Sequence, residues 1–512
     1  MKTCVVRRRF WALEADNATV QIDTEPGFGV PKACIIQYVE TSAATDVVDT
    51  TLGFRNMGIS FIGPAGDGTT TLRLHTAWFS MQDNVGSRSG RRQNSNTAAV
   101  FAVNDDGTTI HYRATAAGFG TDLLTLTFAN QTPQTNGHIE AICTFIGGDD
   151  VTVGIGTVPV ASGVTPRTIS SLNFQPDVVL LAGTVTALNT GDSSTNVRLS
   201  WGCSTRSPLL NKTVGFFANT TTGTADQATL YSSSDAFIWL TNTTTGPFMH
   251  TVGAYTSTGF DVITASTSTS VINYMAIKGK SPTHFALRDI STPTATGDQF
   301  TSLGSTGFVS KTVIGGVVNT SGDATRTGGS TTPGADCIGL FAGNRSADSL
   351  YFNAAGTIQT NSAGTAVTGT GTFFYRLAPG FKIYQTDNTL IGTVSTVTST
   401  TALTLTANAV STLAAGTSYV YSNQGQYCVS IGDQDGNTGN STVFSRMASN
   451  LIHTDSGAGT TYLRASLSDF DTRNGFNLNF STVDATARKG WILAFENTDN
   501  ANEARRRTDS HY

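Results

Sequence analysis

Asp433, Asp435 and Asn437 in the stretch GDQDGNTGN set side-chain oxygens at alternate positions, the spacing with which a loop wraps a calcium ion. The glycine at the sixth position of such a loop and the glutamate at the twelfth are missing, so no EF-hand is expected. The stretch reads as a polar turn whose Asx side chains cap their own backbone, and Asp149-Asp150 reads the same way. Seven histidines form no HExxH and no close pair; His111 and His453 fall beside hairpins and His511 in the terminal tail, where surface or core-satisfied roles are expected. No G-x-S-x-G elbow, P-loop or dinucleotide fingerprint occurs. A catalytic site needs convergent polar groups of tuned pKa, and here the acidic residues stand mostly isolated in turns. The chain is expected to be no enzyme, to carry no cofactor, and to hold no metal beyond what those three oxygen donors could offer.

Two arginine runs and five tryptophans remain. RRRFW at 7–11 and EARRRTDSHY at 503–512 put Arg7, Arg8, Arg9 and Arg505, Arg506, Arg507 near the two ends of a chain whose formal net charge is −5. They are either solvated tails or docking contacts to an acidic partner, because guanidinium forks pair with carboxylates without needing a fixed local fold. A broad basic face with interleaved aromatics is missing, so no nucleic-acid partner is expected. Trp239 and Trp491 lie within apolar strand runs and belong in a core. Trp201, followed by Gly202 at a strand end, is the candidate for an exposed ring that stacks on a sugar, a glycan contact.

The elements that would position these residues are strands. Charged residues make up only 13% of the 512, well below the roughly 25% of ordinary soluble domains, and Thr, Ser, Gly and Ala fill the difference. Val, Ile, Leu and Phe recur at strand-like spacing, which supplies the buried area that a disordered chain lacks. No apolar run is long enough for a membrane helix, so no membrane insertion is expected. The opening residues have neither the apolar region nor the cleavage site of a signal peptide. Six cysteines without CxxC spacing read as buried free thiols of a protein made in a reducing compartment.

One strand pattern recurs three times: PGFGVPKACIIQY near residue 28, LNFQPDVVLLAG at 172–183 and STGFVSKTVIGGV near 308, each a Phe, a kinked spacer and an apolar run. A second strand follows in each copy, and alternation puts Ile59 with Phe61, and Leu199 with Trp201, on one face. Each copy then meets a Gly-Phe pair and closes on HIEAICTF, INYMAIKG or KGWILAFE. The expected fold is all-β: three tandem antiparallel β-sandwiches, jelly-roll-like, over 1–148, 149–290 and 291–500, with a basic tail at 501–512. Copy three carries a surplus at 365–423, expected to form a small β-barrel inserted in a loop, where extra length costs little.

That surplus, VTGTGTFFYRLAPGFKIYQTDNTLIGTVSTVTSTTALTLT, resembles a small β module that recurs in virion proteins of tailed bacteriophages, fibres and tail appendages among them. Val367 to Thr372, Phe374, Leu377, Pro379-Gly380 and Ile383 match its pattern, while Phe381 and Lys382 replace its usual acidic turn residue. FQPDVVLLAG is similar to the opening of a domain of phage structural proteins, matched at Phe174, Pro176, Asp177 and Val179; copies one and three keep the Phe and lose the Asp. The resemblance covers about half the chain. It implies a non-enzymatic structural protein of a tailed-phage virion, a fibre, spike or decoration assembled in the host cytoplasm with other virion proteins and with copies of itself. A carbohydrate-binding adhesin that meets a host surface glycan through its loops is the alternative. A glycan-cleaving depolymerase would need paired carboxylates facing a cleft.

Overall fold

Some strands of this chain are apolar on both faces and others on one, and the computed structural model shows why. The structure describes residues 1–496 apart from 11–18, 44–46, 51–53, 83–89, 104–109, 132–136, 160–165, 191, 195, 220–226, 241–247, 265–269, 304–309, 324–334, 345–350, 375–376, 378, 423–424, 435–441, 456–460 and 470–474.

The first repeat holds β1 (Lys2–Phe10), β2 (Thr19–Asp23), β3 (Ala33–Thr41), β4 (Phe54–Pro64), β5 (Leu72–Gln82), β6 (Gly90–Ser95), β7 (Ala99–Val103), β8 (Ile110–Gly120), β9 (Leu123–Gln131) and β10 (His138–Gly147). Its strands form one sheet in the order β1-β10-β3-β4-β5-β6 and a second in the order β2-β9-β8-β7. The second repeat holds β11 (Thr152–Pro159), β12 (Pro166–Ile169), β13 (Val178–Gly183), β14 (Asp192–Ser194), β15 (Asn196–Arg206), β16 (Leu209–Asn219), β17 (Gln227–Ser232), β18 (Phe237–Trp239), β19 (Phe248–Thr256), β20 (Gly259–Thr264) and β21 (Val271–Lys278). Without β14 its order is the same, β11-β21-β13-β15-β16-β17 with β12-β20-β19-β18.

The third repeat opens with β22 (Phe285–Ser291), β23 (Gly297–Ser302), β24 (Ser310–Val318) and β25 (Ala335–Asn344). The insertion follows: β26 (Tyr351–Asn353), β27 (Thr357–Thr360), β28 (Ala366–Thr370), β29 (Lys382–Gln385), β30 (Leu390–Val397), β31 (Ala402–Leu405), β32 (Leu413–Thr417) and β33 (Tyr419–Ser422). The repeat resumes with β34 (Gln426–Gln434), β35 (Thr442–Ala448), β36 (Ile452–Asp455), β37 (Thr461–Asp469), β38 (Gly475–Thr482) and β39 (Lys489–Glu496). Its order, β22-β39-β24-β25-β34-β35 with β23-β38-β37-β36, is that of the other two. Two boundaries move: β22 pairs with β39, so repeat 3 starts before 291, and the insertion already has two strands before 365.

The larger sheets are covered on both faces. In β3, Cys34, Ile36 and Tyr38 fill the interior of the first sandwich, while Ile35 and Val39 face a core to which all three repeats contribute. A strand buried on both faces has no polar side to show, hence the unbroken apolar run. Strands of the smaller sheets alternate instead: in β9, Leu124, Leu126 and Phe128 point inward and the intervening residues are half-buried.

The shared core joins Phe61 of repeat 1, Trp201 of repeat 2 and Trp491 of repeat 3, with ring centroids 6.0 Å and 5.4 Å apart. The Trp201 indole N–H donates to Gly315 O (3.2 Å) and that of Trp491 to Trp201 O (3.1 Å). A Cβ on Gly316 would meet Val214 Cγ2 at 2.6 Å, so this approach of β24 to β16 requires glycine.

Around that core the repeats clasp one another in a cycle. The segment between the third and fourth strands of each repeat reaches the edge of its neighbour. β14 of repeat 2 pairs with β6 of repeat 1, where Asn94 also bonds Thr184 O and Val271 O. Asp49 of repeat 1 exchanges backbone hydrogen bonds with Ser445 on β35 of repeat 3 (2.8 and 3.1 Å). Asp323 of repeat 3 accepts from the Ser233 amide of repeat 2 (2.8 Å) and from its hydroxyl. Three head-to-tail contacts of one kind close a ring.

Candidate functional site

Of the residues singled out for docking, the first cluster is buried within this ring. Arg7, Arg8 and Arg9 sit in β1 at 2%, 3% and 5% exposure, which corrects both the solvated-tail and the peripheral-docking expectation. Alternation along β1 sends Arg8 toward Phe10, with its guanidinium 5.8 Å from the ring centroid. Arg7 and Arg9 point the other way and meet Glu140 of β10. Arg7 grips that carboxylate with two bonds, Nε to Oε2 and Nη2 to Oε1, each 2.8 Å, and Arg9 Nε adds a third at 2.5 Å. The third Arg7 nitrogen, Nη1, donates to Pro379 O in the insertion (3.0 Å).

Arg7 therefore holds an element of its own chain, the insertion. Tyr421 of the insertion donates to Asp23 beside it (3.2 Å), and the insertion's interior, with Phe381, Ile383 and Val394, is continuous with that of repeat 1. Burial would raise the Glu140 carboxyl, but Arg7 and Arg9 outweigh it and hold it well below the usual carboxylate range. His138, 3.3 Å from Glu140, is pushed down to about 4 by burial and then by Arg9. An ionised acid and a neutral imidazole fixed this way are structural groups, since neither is poised to exchange a proton near neutral pH.

Trp201 is fully buried in the shared core, which corrects its reading as an exposed glycan contact. Trp239 and Trp491 are buried as well. Asp433 lies in β34 at 1% exposure, opposite Asp336 of β25. It is not part of an open turn; Asp435 and Asn437 lie outside the described residues, as do Arg505, Arg506, Arg507 and His511. Among the described residues no group of three or more His, Cys, Asp or Glu is placed to hold a metal ion. Asp150 pairs with the Met1 ammonium. His453 is buried between Arg446 and Asp455, its Nε2 3.0 Å from Asp455 Oδ1. All six cysteines are buried free thiols, and burial pushes those with a resolved shift upward, Cys428 to about 12.

Glu140 was the residue missed. Its signal was present: one carboxylate inside the apolar run HIEAICTF must find a cation if the strand is buried.

Neither the protein-family models nor the curated proteins compared with this chain match it.

Proposed function

We propose that this chain is a non-enzymatic structural subunit of a tailed-phage virion, an exterior head or tail component that assembles with other virion proteins and with its own copies through β-sandwich contacts. The observation that carries the proposal is the clasped ring of three like sandwiches. Its conspicuous charged and aromatic groups, Arg7, Arg9, Glu140, Trp201 and Trp491, are used to lock the ring and its insertion. The chain is low in charged residues, at 13%, and the outer sheets end on β12 and β23, whose residues are half-buried or exposed. Sheet edges of this kind accept a neighbour's strand at little desolvation cost. The sequence resemblance of the insertion and of FQPDVVLLAG to phage modules points the same way. The test is to purify particles of a phage encoding this chain, quantify it by mass spectrometry and locate it with gold-labelled antibody. Several copies per particle on the outer surface are expected; particles that lack the protein would overturn the proposal.

A further inference from the structure

The register of the three repeats makes one position directly comparable, the residue that precedes the start of regular pairing between the third strand and the closing strand. Lys32, Asp177 and Lys311 hold it, preceding Ala33, Val178 and Thr312, which pair with Ile146, Ile277 and Phe495 of the closing strands. In repeat 2 the position is closed by an ion pair: Asp177 accepts Arg206 Nη2 (2.5 Å) and the Gly279 amide (2.9 Å). In repeat 3, Lys311 pairs with Glu25 at 2.7 Å. In repeat 1, Lys32 Nζ has among the described residues a backbone carbonyl as its partner, Val151 O at 2.8 Å, and lines a cleft of about 570 Å³.

Two further ammonium groups line that cleft, Lys2, which donates to Gly27 O (2.9 Å), and Lys280 from the segment joining repeats 2 and 3. Its wall is a fixed turn. Gly27 and Gly29 stand at φ 78° and 84°, and the Asp122 carboxylate accepts both of their amides, at 2.9 and 2.6 Å. Val30, 57% exposed, adds an apolar surface; Asp149 and Asp150 add two carboxylates, the second of them paired with the Met1 ammonium.

We propose that this cleft binds an acidic saccharide unit, a uronate whose carboxylate meets Lys32 and Lys280 while its hydroxyls donate to Asp149. A site with both ammonium groups and carboxylates suits a ligand with both an anionic group and hydroxyl donors. A bare phosphate would use the lysines and be repelled by Asp149, and a nucleobase would find no platform, because Phe28 is 3% exposed. The volume falls in the range of small-ligand sites and holds one or two sugar rings. This site does not depend on where the protein resides, so its test is separate from the particle experiment.

The test is calorimetric titration of the full chain with a tetrasaccharide of alternating glucuronate and N-acetylglucosamine, with its carboxyl-reduced neutral form, and with sodium sulfate. Binding of the acidic form is expected, weakened about tenfold or more by carboxyl reduction, by Lys280→Glu and by Lys32→Ala. Lys280→Glu changes an exposed side chain, so it keeps the test valid if Lys32→Ala loosens the turn. No binding of the acidic form, equal binding of the neutral form, affinity unchanged in Lys280→Glu, or sulfate binding as tightly as the tetrasaccharide would each overturn the proposal.

Discussion

The centre of the ring and the seat of the insertion are both sealed from water, but by opposite chemistry. At the centre three aromatic side chains from three repeats meet, and their two indole N–H groups are satisfied by backbone carbonyls. At the seat, one carboxylate is caught between two guanidinium groups, and the spare donor of one of them holds the insertion. An apolar junction is indifferent to pH and loses stability in proportion to the volume removed. A buried ionic junction depends on keeping every charge matched, and removing one partner costs more than the pair contributed.

The largest effect should come from the centre. Trp491→Ala removes a fully buried indole and one of the two side-chain donors to the Trp201 carbonyl, which keeps the Thr213 hydroxyl, a loss of about 3–5 kcal/mol by chemical denaturation. At the seat, Glu140→Gln keeps the shape and an acceptor oxygen but removes the negative charge that Arg7 and Arg9 share; about 3 kcal/mol should be lost. Equal stability of this variant and the parent would mean that the Glu140 charge is not what holds the arginines in place.

Acid separates the two regions next. His138 holds its proton only near pH 4 when folded, against 6.5 as the ordinary value, so the unfolded chain binds the extra proton between those limits. Its stabilising contribution is complete above pH 6.5 and is lost as pH falls toward 4, by at most about 3 kcal/mol. Glu140 acts below that window: with its folded value held under 4.5, its contribution is present above 4.5 and disappears at lower pH. His75 and His250, also held near 4 by burial, add to the upper window. His138→Gln should therefore reduce the pH 4–6.5 slope of stability by one proton, whereas Trp491→Ala should lower the whole curve and leave its slope alone. The smallest effect belongs to a residue in neither region: Val410→Ser, at a side chain 62% exposed, should change stability by less than about 0.5 kcal/mol.

The all-β fold was legible because its code is local. Phe28 and Phe174 mark the entries to β3 and β13, and Gly118-Phe119, Gly259-Phe260 and Gly475-Phe476 mark the later hairpins. What escaped was set by distance. Trp201 followed by glycine looks like a strand end, yet β15 runs on to Arg206, and a second repeat lies where solvent would be. Three arginines near the start of a chain look solvated until the strand that covers them, 131–133 residues later, supplies Glu140. The insertion's strands could be read from Thr and β-branched alternation, but its attachment to repeat 1 through Pro379 and Tyr421 leaves no local mark.

If three repeats share one core, they should unfold together, although chains of several domains commonly unfold in steps. Scanning calorimetry of the parent and of Trp201→Ala, a substitution in repeat 2 at the point where all three repeats meet, asks this directly. One transition whose calorimetric and van't Hoff enthalpies agree, moved as a whole by the substitution, is the expected result. Separate transitions, of which Trp201→Ala lowers only one, would contradict the shared core.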